Sequence, residues 1–137
     1  MDWNPETSKQ LHYKQLHYKI LGPPVPKGRP RLGKHGNIYT PPRTKEYEEL
    51  VGKMALVARQ VQKMKKTAGP VALSVRVYHK GKMDLANVVK SVEDGMNRVV
   101  YADDDQVVAY YNTFKERDSN QRVEVTVYYL DEPSEEA

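Results

Sequence analysis

The segment from Lys82 to Gln106 constrains the fold of this chain more than any other, because it carries two helical patterns at once. One is apolar and predicts a buried helix face, since its members recur at intervals of three and four residues: Leu85, Val88, Val89, Val92, Met96 and Val99. The other is polar, has the same spacing, and consists of Asn87, Lys90, Asp94 and Asn97. We therefore expect one helix that packs on one side and presents charged groups on another.

Carboxylates lie at both ends of this predicted helix. Asp84 stands at the expected N-cap, and three aspartates at 103–105 form a turn before the apolar stretch that follows Gln106. If that stretch is a strand packed beside the helix, these acids converge near Lys90. Carboxylates grouped with a lysine are the components of a magnesium-dependent site that cleaves phosphate esters. Each acid also has a structural interpretation, as a cap, a surface ion pair or a turn residue, and spacing alone leaves both open.

Composition narrows the class of protein. The chain has 137 residues and no cysteine, so it has the size of one domain and offers neither disulfides nor thiolate metal ligands. It contains no apolar run of roughly 20 residues and no signal-peptide pattern, so we expect a cytoplasmic protein with no membrane partner. Residues 1–66 hold 14 Lys and Arg against 5 acids, whereas residues 67–137 hold 8 against 13. This asymmetry suits a protein that holds a polyanion with one part and a cation with another.

Residues 22–42 are too rich in glycine and proline for a regular helix, with four glycines and six prolines in 21 residues. We expect a structured loop, and its basic side chains Lys27, Arg29, Arg31 and Lys34 are suited to an arm that grips phosphate groups. Prolines that stiffen such a loop reduce the entropy lost on binding. A basic surface loop without a fixed partner is the alternative, and this segment alone does not decide between the two.

The remaining patterns predict an α+β fold. Alternation of period two predicts four strands, near 16–21, 71–80, 106–114 and 121–130. An amphipathic helix is expected from Pro42 or Thr44 to about Lys66. The order β-α-β-α-β-β predicts two layers, a mixed or antiparallel sheet with two helices on one face. We expect a flexible tail at 1–15, a single domain at 16–130 and a disordered acidic tail at 131–137.

These motifs together resemble the RusA family of Holliday junction resolvases. The resemblance rests on PKGRPR at 26–31, YTP at 39–41, MDLANVVK at 83–90, the D-x-x-N that starts at Asp94, and VVYADDDQVV at 99–108. It spans about residues 17–130 and implies a RusA-like nuclease domain, bacterial or phage-encoded. The family implies a homodimer that binds four-way DNA junctions in recombination and repair and cuts two opposing strands. It implies Mg²⁺, with Mn²⁺ as a substitute, and no small-molecule cofactor.

The resemblance also implies roles for individual positions. The catalytic positions are Asp84, Ala86, Lys90 and Asp104, and the metal positions are Asp84, Ala86, Asp103 and Asp104. The supporting positions are Asn87, Asp94 and Gln106, and the DNA-binding positions are Lys27, Arg29, Arg31 and Lys34.

Position 86 departs from the family pattern, which has an aspartate where this chain has Ala86. Alanine neither coordinates a metal nor activates water, although it suits a helix start. We therefore expect a catalytically impaired form, either deliberately inactivated or naturally degenerate. A structural binder of branched DNA that never cuts, and a nuclease for flaps or other branches, are the alternatives.

Overall fold

The computed structural model describes residues 13–133, so the expected tails at 1–12 and 134–137 lie outside the described residues. The first strand, β1, runs Tyr13–Leu21, and the last strand runs Arg122–Pro133. Positions 13–15 and 131–133, which the sequence assigns to the tails, therefore belong to strands. The reason is that these two strands pair antiparallel with each other, up to the contact between Tyr13 and Pro133, so each extension supplies the hydrogen-bond partners of the other.

The described elements follow one another as β1 (Tyr13–Leu21), β2 (Arg31–Leu32), β3 (Ile38–Tyr39), α1 (Pro42–Gln62), β4 (Val71–His79), α2 (Leu85–Met96), a 3₁₀ turn (Asp104–Gln106), β5 (Val107–Tyr110), β6 (Phe114–Arg117) and β7 (Arg122–Pro133). α1 ends at Gln62 rather than near Lys66, because Lys63 adopts a left-handed conformation with φ of 55°. Within residues 13–133, no helix is long and apolar enough to cross a membrane.

Five strands form one mixed sheet in the order β1-β7-β4-β5, with β6 also paired to β4. β7 is antiparallel to both of its neighbours, whereas β5 and β6 are parallel to β4 because α2 returns the chain to the same end of the sheet. The predicted α+β class and mixed sheet are thus confirmed. The single strand predicted at 106–114 is wrong, because Asn112 has a φ of 47° and separates β5 from β6.

Both helices contribute to one hydrophobic core with alternate residues of β1, β4 and β7. The strand members are Leu16, Tyr18, Ile20, Val71, Leu73, Val75, Val77, Val123, Val125, Val127 and Tyr129. The buried face of α1 is narrower than its apolar pattern predicts: Val51 and Ala55 are buried, whereas Leu50, Val57 and Val61 are exposed. α1 has more apolar positions than its contact with the sheet covers.

A close contact between the two helices brings their charged faces together. A Cβ atom at Gly95 of α2 would lie 2.7 Å from the Val51 Cβ and 2.8 Å from the carbonyl oxygen of Glu48, both on α1. Only a glycine fits at this distance without displacing backbone. The approach places the first half of α1 beside the C-terminal end of α2, next to Asp94 of the candidate site.

Candidate active site

The N-terminus of α2 is organised by Asp84, as the sequence predicts. Its Oδ1 accepts a hydrogen bond of 3.1 Å from the Asn87 backbone N–H, and its Oδ2 accepts one of 3.0 Å from the Asn87 side-chain amide. The Asn87 carbonyl in turn accepts from the backbone N–H of Lys27 at 2.8 Å. The proline-rich segment is therefore attached to the first turn of α2.

Lys90 connects α2 to the aspartate turn. Its Nζ lies 2.7 Å from Asp104 Oδ2 and 3.2 Å from Asp94 Oδ1. The hydrogen bond to Asp104 is the main reason that the pKa of Lys90 is raised, and the same bond lowers the pKa of the Asp104 carboxyl. The ammonium and the Asp104 carboxylate therefore hold each other in their charged forms.

Lys27 occupies a second bridging position. Its Nζ lies 2.5 Å from Glu48 Oε1 on α1 and 3.0 Å from Asp94 Oδ2 on α2. Burial disfavours its charge, but the hydrogen bonds to Glu48 and Asp94 outweigh burial and raise its pKa. The structure thus directs the Lys27 ammonium into the protein, whereas the sequence groups it with the residues that grip DNA. Glu48, Lys27, Asp94, Lys90 and Asp104 form one continuous row of alternating charges, which we call the charge row.

Gln106 fixes the shape of the turn that carries Asp104. Its side-chain amide donates hydrogen bonds of 3.0 Å to the carbonyls of Thr67 and Gly69, and its Oε1 accepts from the backbone N–H groups of Ala102 and Asp103. All four contacts are to backbone, so Gln106 orients the turn itself. Asp103 lies next to the charge row, but no ion pair with another described residue engages it.

Glu93 is an acid of this region that the sequence analysis missed. It is buried and its carboxylate accepts a hydrogen bond from the Tyr110 hydroxyl. Burial raises the pKa of Glu93, and the Tyr110 hydrogen bond opposes that change. Its position four residues after Val89 and three before Met96 puts it on the apolar stripe of α2, which is a signal that a closer analysis of the pattern could have used.

An open groove of about 1160 Å³ runs past the first turn of α2. Asp84 and Ala86 line it, and so do Arg43, Lys82 and Arg117. The last three are basic residues that the sequence analysis did not select, because they are far apart in the chain and belong to no common motif. The arm of residues 22–42 lines part of this groove through Pro24 and Pro26. Its basic residues lie elsewhere on the arm: Arg31 is on the exposed β2–β3 hairpin, Lys34 is in the turn of that hairpin, and Arg29 precedes it.

The carboxylates do not form a complete metal site in this chain. Among residues 13–133, no group of three or more His, Asp or Glu side chains is arranged to hold a metal ion. Asp84 is hydrogen-bonded to Asn87, Asp104 is paired with Lys90, and a methyl group stands at position 86. Because Mg²⁺ requires oxygen ligands in near-octahedral geometry, this set of donors does not fit the ion.

A lysine held between carboxylates, beside a groove with basic walls on an α+β scaffold, is the arrangement of a candidate phosphodiesterase. Comparison with known proteins gives the narrower class. Residues 22–128 match the family model of endodeoxyribonuclease RusA. The chain is also 32% identical to the uncharacterized protein YqaN of Bacillus subtilis (strain 168), in an alignment that covers 68% of the chain and 82% of the relative. The chain belongs to the RusA endodeoxyribonuclease family, which confirms the resemblance noted from its motifs.

Proposed function

We propose that this protein is a structure-selective endodeoxyribonuclease of four-way DNA junctions, acting in recombination and repair, and that Ala86 impairs its cleavage step. The main support for the proposal is Lys90, whose ammonium lies 2.7 Å from Asp104. Lys90 also lies one helical turn after Ala86, which lines the groove. A cation fixed in this way stabilises negative charge on phosphoryl oxygens or on the leaving group. Membership of an endodeoxyribonuclease family makes the DNA phosphodiester the bond in question.

Ala86 is the reason to expect impaired cleavage. Residues 86 and 90 are four apart on α2, so an acid at position 86 would share the face of Lys90. Together with Asp84 and Asp104 it would provide the third carboxylate that the present donors lack. We propose that Mg²⁺, or Mn²⁺ in its place, is the cofactor of the form with that carboxylate. Asp103 is a further candidate ligand, and Arg29, Arg31 and Lys34 would hold the junction arms.

The test compares the parent chain with Ala86→Asp and with Ala86→Asn, which has nearly the same size as aspartate but no charge. Each is incubated with an end-labelled four-way junction and a matched linear duplex, with and without Mg²⁺. We expect paired, symmetric nicks on the junction only, and only with Ala86→Asp and Mg²⁺. Isothermal titration of Mg²⁺ into the same three proteins should show binding to Ala86→Asp alone. Cleavage that ignores branching would contradict the proposal.

A junction binder that does not cut is the second candidate, and Ala86 favours it for the chain as it stands. The same experiment separates the two functions. Selective binding of the junction by the parent and by Ala86→Asp, with no cleavage by either, would favour the structural binder.

We propose further that the protein is a homodimer that pairs through α1. An apolar stripe on this helix has the spacing of a helix–helix seam. It consists of the exposed Leu50, Val57 and Val61 and of Met54, which is partly buried against the core. The acids Glu46 and Glu49 lie near one end of the stripe, and Lys63 and Lys65 lie near the other. An antiparallel two-fold pair of these helices therefore places opposite charges against each other. A second copy of this chain fits this surface, and a two-fold dimer matches the pseudo-symmetry of a four-way junction.

Sedimentation equilibrium tests the dimer. Val57→Glu places a charge in the middle of the stripe and should give a monomer. Leu56→Glu is the matched control, because Leu56 is also an exposed apolar residue of α1 but points away from the stripe. A parent protein that sediments as a monomer, or a dimer that Val57→Glu leaves intact, would contradict the assignment.

A further inference from the structure

We propose that the side chain of Gln62 closes the free edge of β1, and that without it this edge pairs with β1 of a second copy of the chain. Gln62 is the last residue of α1. The charge row and the groove involve the first two turns of the same helix, through Glu48 and Arg43. The contact of Gln62 with β1 is therefore a feature apart from the candidate active site.

β1 is an outer strand of the five-stranded sheet, because within residues 13–133 its one neighbouring strand is β7. It has 9 residues, whereas strands commonly have about five or six. In an antiparallel pair, alternate residues direct their backbone N–H and C=O groups toward the partner strand, and the residues between them direct these groups away. The outward groups of an edge strand form a row on which another strand can hydrogen-bond.

The side-chain amide of Gln62 occupies the middle of this outward row. Its Oε1 accepts a hydrogen bond of 3.1 Å from the His17 backbone N–H, and its Nε2 donates one of 2.6 Å to the His17 carbonyl. One side chain thus makes the two hydrogen bonds that a residue of a pairing strand would make. Gln15 and Lys19 lie two residues to either side of His17, so their backbone groups also face outward. The amide therefore divides the outward row into two short pieces.

Other features protect this edge only weakly. The pairing register of β1 with β7 is continuous from Lys14 to Leu21, so no bulge bends this part of the strand away from a partner. The strand contains no proline, which would remove an outward N–H group. Two lysines, Lys14 and Lys19, are its remaining protection against edge pairing. Without the amide of Gln62, β1 would present a long and regular edge.

A second copy of β1 fits this edge in an antiparallel register centred on His17. In that register Lys14 lies opposite Ile20, and Lys19 lies opposite Gln15. Neither lysine faces another lysine, so the repulsion that like charges cause across a strand pair does not arise. The pair is two-fold symmetric, and each copy offers the same surface to the other. Both Gln62 side chains must leave His17 before it can form.

Sedimentation velocity over a series of protein concentrations tests the proposal. The background is Val57→Glu, which places a charge in the apolar stripe of α1 and so removes that surface as a source of association. Each Gln62 amide should weaken strand pairing about tenfold, because the gain from two hydrogen bonds is partly offset by lost side-chain freedom. Since both copies carry the amide, Gln62→Ala should self-associate about a hundredfold more tightly than its background.

The matched control is Gln60→Ala, which should sediment like the background. Gln60 is also an exposed glutamine of α1, but it lies two residues before Gln62 and so on the opposite side of the helix. Lys19→Pro identifies the surface, because proline removes an outward N–H of β1 and leaves the pairing with β7 in place. Combined with Gln62→Ala, it should restore the sedimentation of the background. Amide hydrogen exchange of His17 should be slow in the background and faster in dilute Gln62→Ala.

Three outcomes would overturn the proposal. The first is a Gln62→Ala protein that sediments like its background at every concentration. The second is equal association of Gln60→Ala, which would show that loss of any glutamine from α1 has this effect. The third is association that Lys19→Pro leaves intact, because the β1 edge would then not be the surface. All three leave the proposed nuclease function standing, since neither glutamine nor Lys19 belongs to the charge row or lines the groove.

Discussion

Replacing Lys27 with methionine tests the charge row at its most enclosed point. The side chains of Lys27, Glu48 and Asp94 retain 23%, 19% and 17% of their exposure, so their ion pairs lie between the surface and the buried limits. Surface pairs contribute about 0–1 kcal/mol, and removal of one partner from a buried pair costs about 3–5 kcal/mol. Asp94 keeps Lys90 at 3.2 Å after the change, which limits the loss. We therefore expect Lys27→Met to lower the free energy of unfolding by about 2 kcal/mol.

For a domain of this size, about 2 kcal/mol corresponds to a fall in Tm of about 6–10 °C. The pH dependence has a definite sign. The pKa of Lys27 is raised in the folded protein above its usual 10.5, so its contribution is fully present below that pH and is lost as the pH rises through the folded value. The difference between parent and variant should therefore be constant between neutral pH and pH 10 and should shrink above it.

Urea unfolding followed by circular dichroism measures this difference. Lys34→Met is the matched control, because Lys34 lies on the same arm, is exposed and forms no ion pair within the described residues. It should change stability by less than about 0.5 kcal/mol. A double-mutant cycle with Glu48→Gln should give a coupling of about 1 kcal/mol or more. If Lys27→Met is no more destabilising than Lys34→Met, the ion pairs of Lys27 contribute nothing and the reasoning fails.

Three further predictions concern α2. In the Ala86→Asp background, Lys90→Met should abolish junction cleavage and leave junction binding within a few-fold, and unchanged turnover in a cleavage assay would remove Lys90 from the mechanism. In the parent, Lys90→Met should remove the stability that the ion pair with Asp104 contributes. Because the pKa of Asp104 is lowered in the folded protein, the difference in unfolding free energy between parent and variant is present above about pH 4 and disappears as the pH falls through that lowered pKa. Urea unfolding measured at a series of acidic pH values tests this. Gly95→Ala should destabilise by about 1–3 kcal/mol despite the better helix propensity of alanine, since its Cβ would meet Val51 at 2.7 Å, and unchanged urea unfolding would contradict the close helix contact.

Local periodicity predicted the parts of the site that lie on one element. The polar stripe of α2 placed Lys90 and Asp94 on one face, and the structure pairs them at 3.2 Å. The N-cap role of Asp84 could also be predicted from the sequence, because capping depends on the residues of a single turn. The expected approach of the aspartate turn to Lys90 is confirmed for Asp104, whereas Asp84 is bonded to Asn87 instead.

Interactions between distant segments were beyond the reach of local patterns. Lys27 lies in a basic, proline-rich segment and was predicted to bind DNA, but its two partners are on α1 and α2. The place of Glu93 on the apolar stripe of α2 indicates its burial, but no local pattern predicted that Tyr110 would be its hydrogen-bond partner. In both cases helix packing decides which side chains come into contact. A lysine or an acid has the same local sequence pattern whether or not that contact forms.

The ion pairs of the charge row affect whether the aspartate turn indicates a bound metal. Adjacent carboxylates repel one another unless a cation compensates them, so a run of three aspartates at 103–105 suggests a bound metal when it is seen in sequence alone. In the folded chain Lys90 supplies that compensation to Asp104, and Lys27 supplies it to Asp94. Part of the repulsion within the turn is therefore relieved by Lys90, without a metal. The turn by itself therefore does not decide between a nuclease and a binder of branched DNA. Position 86 separates the two functions, because a carboxylate there would be the third acid and would have no lysine left to pair with it.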